Sequence, residues 1–202
     1  MSYYYLAAQL PYLIYGQTPP MTSQSFKALC AQVLGSNEVA LLELCSLDPE
    51  PVLDTNKEEK AAYSGPAAST SSDFINAWRN WERTLRLHLA RYRAQRLKWE
   101  GAAPVDPPEN PMDAAAAARA AVVIESPLEA ELFLDQARWN AIEALQGLHY
   151  FSANTIYAYL LKLFLMERRS LFKVEEGFAE YKGLYTAILA AASTSVESGV
   201  PK

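Results

Sequence analysis

The stretch that decides the fold spans residues 126–190 and reads SPLEAELFLDQARWNAIEALQGLHYFSANTIYAYLLKLFLMERRSLFKVEEGFAEYKGLYTAILA. It begins with a helix N-terminus signature, because Ser126 can cap the helix, Pro127 suits its first position and Glu129 completes a capping box. Gly147 is typical of a helix end. Between these signals, apolar residues at helical spacing predict one buried face, formed by Leu128, Leu132, Trp139 and Ile142.

Two further helices are predicted within the same stretch. Residues 154–172 are apolar on nearly every side, so this segment is expected to lie between other helices, with Leu163 in the core. Residues 174–192 are predicted to form the next helix. Its predicted apolar side consists of Phe178, Tyr181, Tyr185 and Ile188. These three helices are predicted to form the core of the protein.

The rest of the chain predicts an all-α fold, a helical bundle of about six to seven helices with a short N-terminal extended or helical segment at Tyr3–Ala8. Apolar helical patterns capped at Thr22 or Ser23 and at Ser36 indicate an αα-hairpin. The expected organisation is an N-terminal segment and helical hairpin (1–49), a linker (50–72), a main helical domain (73–192) with an internal Pro-rich loop (101–111), and a disordered tail (193–202).

Composition excludes several classes of protein. A formal net charge of −5 over 202 residues argues against general affinity for nucleic acid or anionic membrane. Cys30 and Cys45 fit buried free thiols of a cytoplasmic protein, and His88 and His149 are too few for a zinc set, so no metal or cofactor is expected. The N-terminus has no charged signal-peptide region, and the longest apolar run, Ile156–Leu161, is far too short to span a membrane.

The longest predicted helix, residues 73–99, is rich in arginine. Its apolar seam is expected to bury Trp78 and Trp81 together with Leu85. Its basic side chains are interpreted as a docking surface for an acidic partner, carried by Arg79, Arg83, Arg86 and Arg93.

Two other interpretations of the basic helix stay open. One is a solvated face with internal ion pairs such as Glu82 with Arg86. The other is a nucleic-acid-binding regulator, which would also need aromatic side chains free to stack. If the basic face is only solvated, the docking site is expected on the apolar helices or at the tyrosine-rich start.

Charged residues on apolar faces are the remaining candidates. Asp135 is expected to form a structural ion pair with Arg168, since unpaired buried charges are costly. The alternative role for Asp135 is a general acid or base, and His149 is the alternative catalytic base. No second carboxylate, Ser/His pair or phosphate-binding glycine loop accompanies them, so no catalytic set is predicted.

Scattered blocks over nearly the whole chain resemble a bacterial family encoded among the genes of V-type (A/V-type) ATPases. The blocks are Tyr3–Ala8 with Leu10–Pro11 and Pro19–Pro20, Pro127–Glu131, Arg138–Trp139, His149–Phe151, and Tyr159–Leu163 with Arg168. That family looks like a reduced counterpart of the C/d-type socket of these ATPases, an all-helical component that seats the central axle on the membrane rotor ring.

The resemblance implies a non-enzymatic component or accessory of a V-type ATPase that couples the central stalk to the membrane rotor. It implies other ATPase subunits, of the central stalk or rotor ring, as partners. The expected location is cytoplasmic and peripheral to the inner membrane through the complex, with no nucleic acid bound and the membrane contacted only indirectly.

Overall fold

In a computed structural model of the protein, the structure describes residues 2–48, 69–98, 111–148, 150–172, 181–186 and 188. Every regular element among them is a helix, which confirms the all-α fold. The helices are α1 (Ser2–Gln9), α2 (Ser23–Val33), α3 (Ser36–Glu43), α4 (Asp73–Arg96), α5 (Met112–Val123), α6 (Pro127–Gln146) and α7 (Ala153–Ser170). Residues 181–186 are also helical.

The chain forms two compact units, Met1–Glu167 and Arg168–Lys202. The predicted hairpin therefore shares its unit with most of the helices that follow it. The predicted linker 50–72 and Pro-rich loop 101–111 lie largely outside the described residues, and the predicted tail 193–202 lies wholly outside them. None of the helices in the described ranges is both long and apolar enough to cross a membrane.

Helix α6 begins and ends where its sequence signals predict. The Ser126 hydroxyl accepts a hydrogen bond from the backbone N–H of Glu129 at 3.3 Å, and Pro127 is the first helical residue. Gly147 has a φ of +62°, a left-handed value that favours glycine, and its N–H donates to the Glu143 carbonyl at 3.2 Å. This cap ends α6 and starts the turn into α7.

The core of the first unit is formed by buried side chains from all seven helices. Helix α7 is buried on nearly every side, as its composition predicts, and the four residues predicted for the core are all buried: Trp78, Trp81, Trp139 and Leu163. The buried face of α6 differs from the predicted one. It consists of Leu134, Asp135, Arg138, Trp139, Ala141 and Ile142, whereas Leu128 and Leu132 are half-buried.

Two polar contacts define how α4 and α6 pair. Arg138 of α6 contacts Glu82 of α4, and Glu131 lies 3.9 Å from Arg93. The residue numbers rise along one helix as they fall along the other, so α4 and α6 are antiparallel. The predicted seam of α4 is buried at Phe74, Trp78, Trp81 and Leu85, where Phe74 stacks on Tyr157 of α7 and Trp81 bonds to Asp113 of α5.

The smaller elements partly follow the predictions. The N-terminal segment is helical, and Thr22 caps α2 by accepting from the N–H of Ser25 at 3.1 Å. Gly35, rather than Ser36, occupies the cap position of α3. The predicted third core helix does not bury its described apolar side chains: Tyr181, Tyr185 and Ile188 are more than half exposed, while Phe178 lies outside the described residues.

Candidate docking groove

The first unit has a groove of about 690 Å³, which we call the aromatic groove. It lies between the end of α1 and its following loop on one side, and the α6–α7 junction on the other. Its lining consists of Ala7, Leu10, Pro11, Tyr12, Leu13, Glu143, Ala144, Gln146, Gly147, Leu148, Tyr150, Phe151, Thr155, Tyr159 and Lys162.

Side-chain contacts fix the N-terminal wall of the groove against the helices. The Tyr159 hydroxyl of α7 donates to the Pro11 carbonyl at 3.0 Å. Tyr15 donates to the Leu132 carbonyl at 2.8 Å and packs edge-on against the Trp139 ring, with ring centroids 5.5 Å apart. Because both ends of this loop are held by buried or half-buried side chains, the groove has a defined wall rather than a loose segment.

The groove is rich in exposed aromatic and apolar side chains. Tyr12 is 86% exposed, Leu148 81%, Tyr150 59% and Phe151 53%. Phe151 lies against Tyr4 of α1, with ring centroids 4.4 Å apart. Clustered apolar exposure of this kind marks interaction sites on folded proteins more often than single exposed residues do. Aromatic side chains are also the residues that dominate binding energy at protein interfaces.

One charged cluster lies on the helical side of the groove. The Glu143 carboxylate accepts from Trp139 Nε1 at 3.0 Å and from Lys162 Nζ at 3.1 Å. The Lys162 ammonium also lies 4.9 Å from the Trp139 ring centroid, so its charge is shared by two partners. The Glu143 side chain is still 51% exposed, and the C-terminal end of α6 adds partial negative charge beside it. Within this ion pair the carboxylate is the more exposed charge, because the Lys162 side chain is only 14% exposed.

The arginines predicted to dock a partner are mostly engaged within the protein. Arg79 donates to the Leu44 carbonyl at 3.1 Å, and Arg83 is half-buried. Arg86 contacts Glu82 at 2.9 Å and Asp48 at 2.8 Å, and it donates to the Leu47 carbonyl at 2.9 Å. Arg93 is 57% exposed and lies 3.9 Å from Glu131. The structure does not present these four side chains as one free cationic face.

A buried charge cluster connects α4 with α6, and sequence reasoning missed its central residue, Arg138. Arg138 Nε and Nη2 donate to the two Glu82 oxygens at 3.0 and 3.1 Å, and Nη1 donates to Asp135 at 2.9 Å. Burial lowers the pKa of Arg138, but the carboxylates of Glu82 and Asp135 outweigh that effect and raise it. The guanidinium is therefore held charged in the core, where it matches a buried carboxylate on each side.

The partner that the structure shows for Asp135 is thus Arg138, three residues further along the same helix. The predicted pair of Asp135 with Arg168 stays a prediction. Arg168 belongs to the second unit. Within that unit, the Arg168 guanidinium lies 5.9 Å from the Phe172 ring centroid. Asp135 is fully buried and does not reach a surface where it could act on a substrate. His149 lies outside the described residues.

The two cysteines, Cys30 and Cys45, are buried. Burial raises the pKa of Cys30 and of Cys45 to about 12, so both thiols are protonated at neutral pH and are poor nucleophiles. Both thiols are free of disulfide bonds.

The Trp78 and Trp81 indoles are stacked inside the fold. The Trp78 N–H donates to the Ser46 carbonyl at 2.8 Å, and the Trp81 N–H donates to Asp113 at 3.0 Å. Across the described ranges no group of three or more His, Cys, Asp and Glu residues is placed to hold a metal ion.

Comparison with known proteins adds no relative: no family model, no curated protein and no solved structure matches the chain.

Proposed function

We propose that this chain is a non-catalytic helical protein that docks onto another protein through the aromatic groove. The observation that carries the proposal is the exposure of Tyr12, Leu148, Tyr150 and Phe151 on one concave surface. Exposing these side chains to water is unfavourable in the isolated protein. Covering them with a partner recovers about 25 cal/mol for each Å² of apolar surface removed from water.

The proposed partner is a component of a V-type ATPase, in its central stalk or rotor ring. This part of the proposal is supported by the family resemblance of the sequence. Two of the resembling blocks, Tyr3–Ala8 with Leu10–Pro11 and His149–Phe151, contribute described residues to the two sides of the groove. A protein that couples a stalk to a rotor needs a protein-binding surface rather than a catalytic set, and the groove is such a surface.

The arginine-rich helix is a weaker docking site. Arg79 and Arg86 hold the segment that follows α3 against α4, so a partner would have to compete with contacts that stabilise the fold. The nucleic-acid alternative loses support for the same reason, and because the two indoles that would have to stack on bases are buried.

Co-purification from the cells that encode the protein tests this function. We expect the tagged wild-type chain to retain ATPase stalk or rotor subunits. The double variant Tyr12→Ala/Tyr150→Ala should retain at least about tenfold less, because truncating two aromatic anchors of an interface costs more than about 2 kcal/mol in total. Tyr5→Ala is the matched control, since Tyr5 is 61% exposed but does not line the groove.

Circular dichroism should show the same helix content and melting temperature for all three proteins, because the substituted side chains are exposed. Equal retention by the double variant and wild type would rule out the groove as the docking site. Absence of every ATPase subunit from the wild-type eluate would rule out the proposed partner.

A further inference from the structure

We propose that the aromatic groove binds an extended, proline-rich segment that carries a lysine or arginine beside its prolines. This inference rests on the proposed function and names the chemical class of the partner segment. Three properties of the groove support it: ring faces open to solvent, hydroxyl donors without a partner in the described part of the chain, and a half-exposed carboxylate.

The ring faces fit prolines. Tyr12 and Tyr150 are largely exposed, and Phe151 with Tyr4 forms a second aromatic element beside them. Proline-rich segments in the polyproline II conformation dock into aromatic-lined grooves, where the rings contact the pyrrolidines. Such segments are already extended before binding, so little conformational entropy is lost when they dock.

The hydroxyl groups favour an extended segment over a helix. Neither the Tyr12 nor the Tyr150 hydroxyl bonds to another residue within the described part of the chain. A polyproline II segment has no internal hydrogen bonds, so its carbonyls need donors from the partner. The carbonyls inside an α-helix are already bonded to their own backbone and would leave the hydroxyls unused. Docking by strand addition needs a sheet edge, and the described residues contain no strand.

The Glu143 carboxylate is the reason for placing a lysine or arginine in the proposed segment. Glu143 pairs with Lys162 at 3.1 Å, but the Lys162 side chain is 14% exposed and the Glu143 side chain 51%, so a docked cation meets the carboxylate. The C-terminal end of α6 places partial negative charge next to Glu143. Aromatic faces also attract cations. The chain's own proline-rich segment, residues 104–111, reads PVDPPENP and carries two carboxylates and no cation, so its charge is wrong for the groove. The expected occupant therefore comes from another protein.

Calorimetric titration of the full chain with synthetic blocked peptides tests this inference. The probe is a run of consecutive prolines ending in arginine. We expect it to bind, and we expect the same peptide ending in glutamate to bind about tenfold more weakly. A glycine–alanine peptide of equal length ending in arginine should show no measurable binding, and neither should the peptide PVDPPENP.

Variants locate the site. Tyr12→Ala and Tyr150→Ala should each weaken the proline–arginine peptide about tenfold, while Tyr5→Ala should leave its affinity unchanged. Glu143→Gln keeps an oxygen that can accept from Trp139, and it should remove the preference for arginine over glutamate while leaving proline binding in place. A preserved preference in that variant would contradict the assignment of the cation to Glu143.

The inference is overturned if the proline–arginine peptide fails to bind, or if an amphipathic helical peptide binds in its place. Its failure can be told apart from failure of the proposed function. If the Tyr12→Ala/Tyr150→Ala variant loses the ATPase subunits but the wild-type chain does not bind the proline–arginine peptide, the docking function holds and the groove binds a different kind of segment. If the wild-type chain binds the proline–arginine peptide but retains no ATPase subunit, the groove binds a proline-rich segment of a different partner.

Discussion

At the scale of single residues, Arg138 is a buried cation that links α4 to α6. It is buried between two carboxylates, Glu82 and Asp135, and bonds to both. Buried ion pairs contribute little net stability compared with apolar residues, but removing one partner leaves an uncompensated charge in the core. The cluster therefore holds α4 and α6 in one register, because any sliding of the helices separates the charges.

Replacing Arg138 with methionine should destabilise the protein strongly. We expect the free energy of unfolding to fall by about 3–5 kcal/mol, since two buried carboxylates lose their shared cation. Urea unfolding followed by circular dichroism measures the change. Arg93→Met is the matched control, because Arg93 is 57% exposed and its substitution should cost less than about 0.5 kcal/mol. Similar losses in the two variants would mean that the buried cluster does not hold the helices together.

The same cluster marks the limit of prediction from sequence at the residue scale. Asp135 stands out in the sequence as a charge on an apolar stripe, and it is indeed buried and paired. Glu82 and Arg138 are 56 residues apart, so their contact depends on the register of two helices, which local spacing does not contain. The i, i+3 relation of Asp135 and Arg138 was the one local signal that pointed to the right cation.

At the scale of elements, the basic side chains of α4 stabilise the fold. Its Arg79 and Arg86 side chains donate to the carbonyls of Leu44 and Leu47, which follow α3 without a helical partner. The nearby Trp78 indole does the same for the Ser46 carbonyl at 2.8 Å. The basic side chains thus satisfy backbone groups that the end of α3 leaves open.

Reversing the charge of Arg86 should consequently affect folding, not only binding. We expect Arg86→Glu to lower the free energy of unfolding by on the order of 1–3 kcal/mol, because buried Glu82 loses a donor and gains a like charge beside it. Arg93→Glu should change it far less. Thermal melts of the two variants at equal protein concentration make the comparison. An Arg86→Glu melt that coincides with wild type would show that the Arg86 contacts do not stabilise the fold, and it would restore the interpretation of the α4 arginines as a docking surface.

Helix positions were predictable because their signals are local. The Ser126 cap, Pro127 and Gly147 delimit α6, and the periodic aromatic residues of α4 form its buried seam. The helix predicted over 174–192 failed as a core element for a physical reason: periodicity indicates which side of a helix is apolar, not whether another element covers it. Its described side chains Tyr181, Tyr185 and Ile188 are exposed.

At the scale of the whole molecule, the aromatic groove is the feature that local patterns could not reveal. Residues 7–13 form one side and residues 143–162 the other, so the concave surface exists only after the chain has folded. The sequence did contain a weak signal, because Tyr3–Tyr5 and Tyr150–Phe151 concentrate aromatic residues where helices begin or turn. The sequence alone could not show that these two groups of residues lie close together.

Covalent labelling of tyrosines, read by mass spectrometry, tests the central claim most directly. The measurement compares the free chain with the chain bound to the proposed partner, a stalk or rotor subunit of a V-type ATPase. We predict that labelling of Tyr12 and Tyr150 falls at least about fivefold in the complex, because a docked segment removes their rings from solvent. Tyr5 should label equally in both states. Unchanged labelling of Tyr12 and Tyr150 in the complex would contradict docking through the aromatic groove.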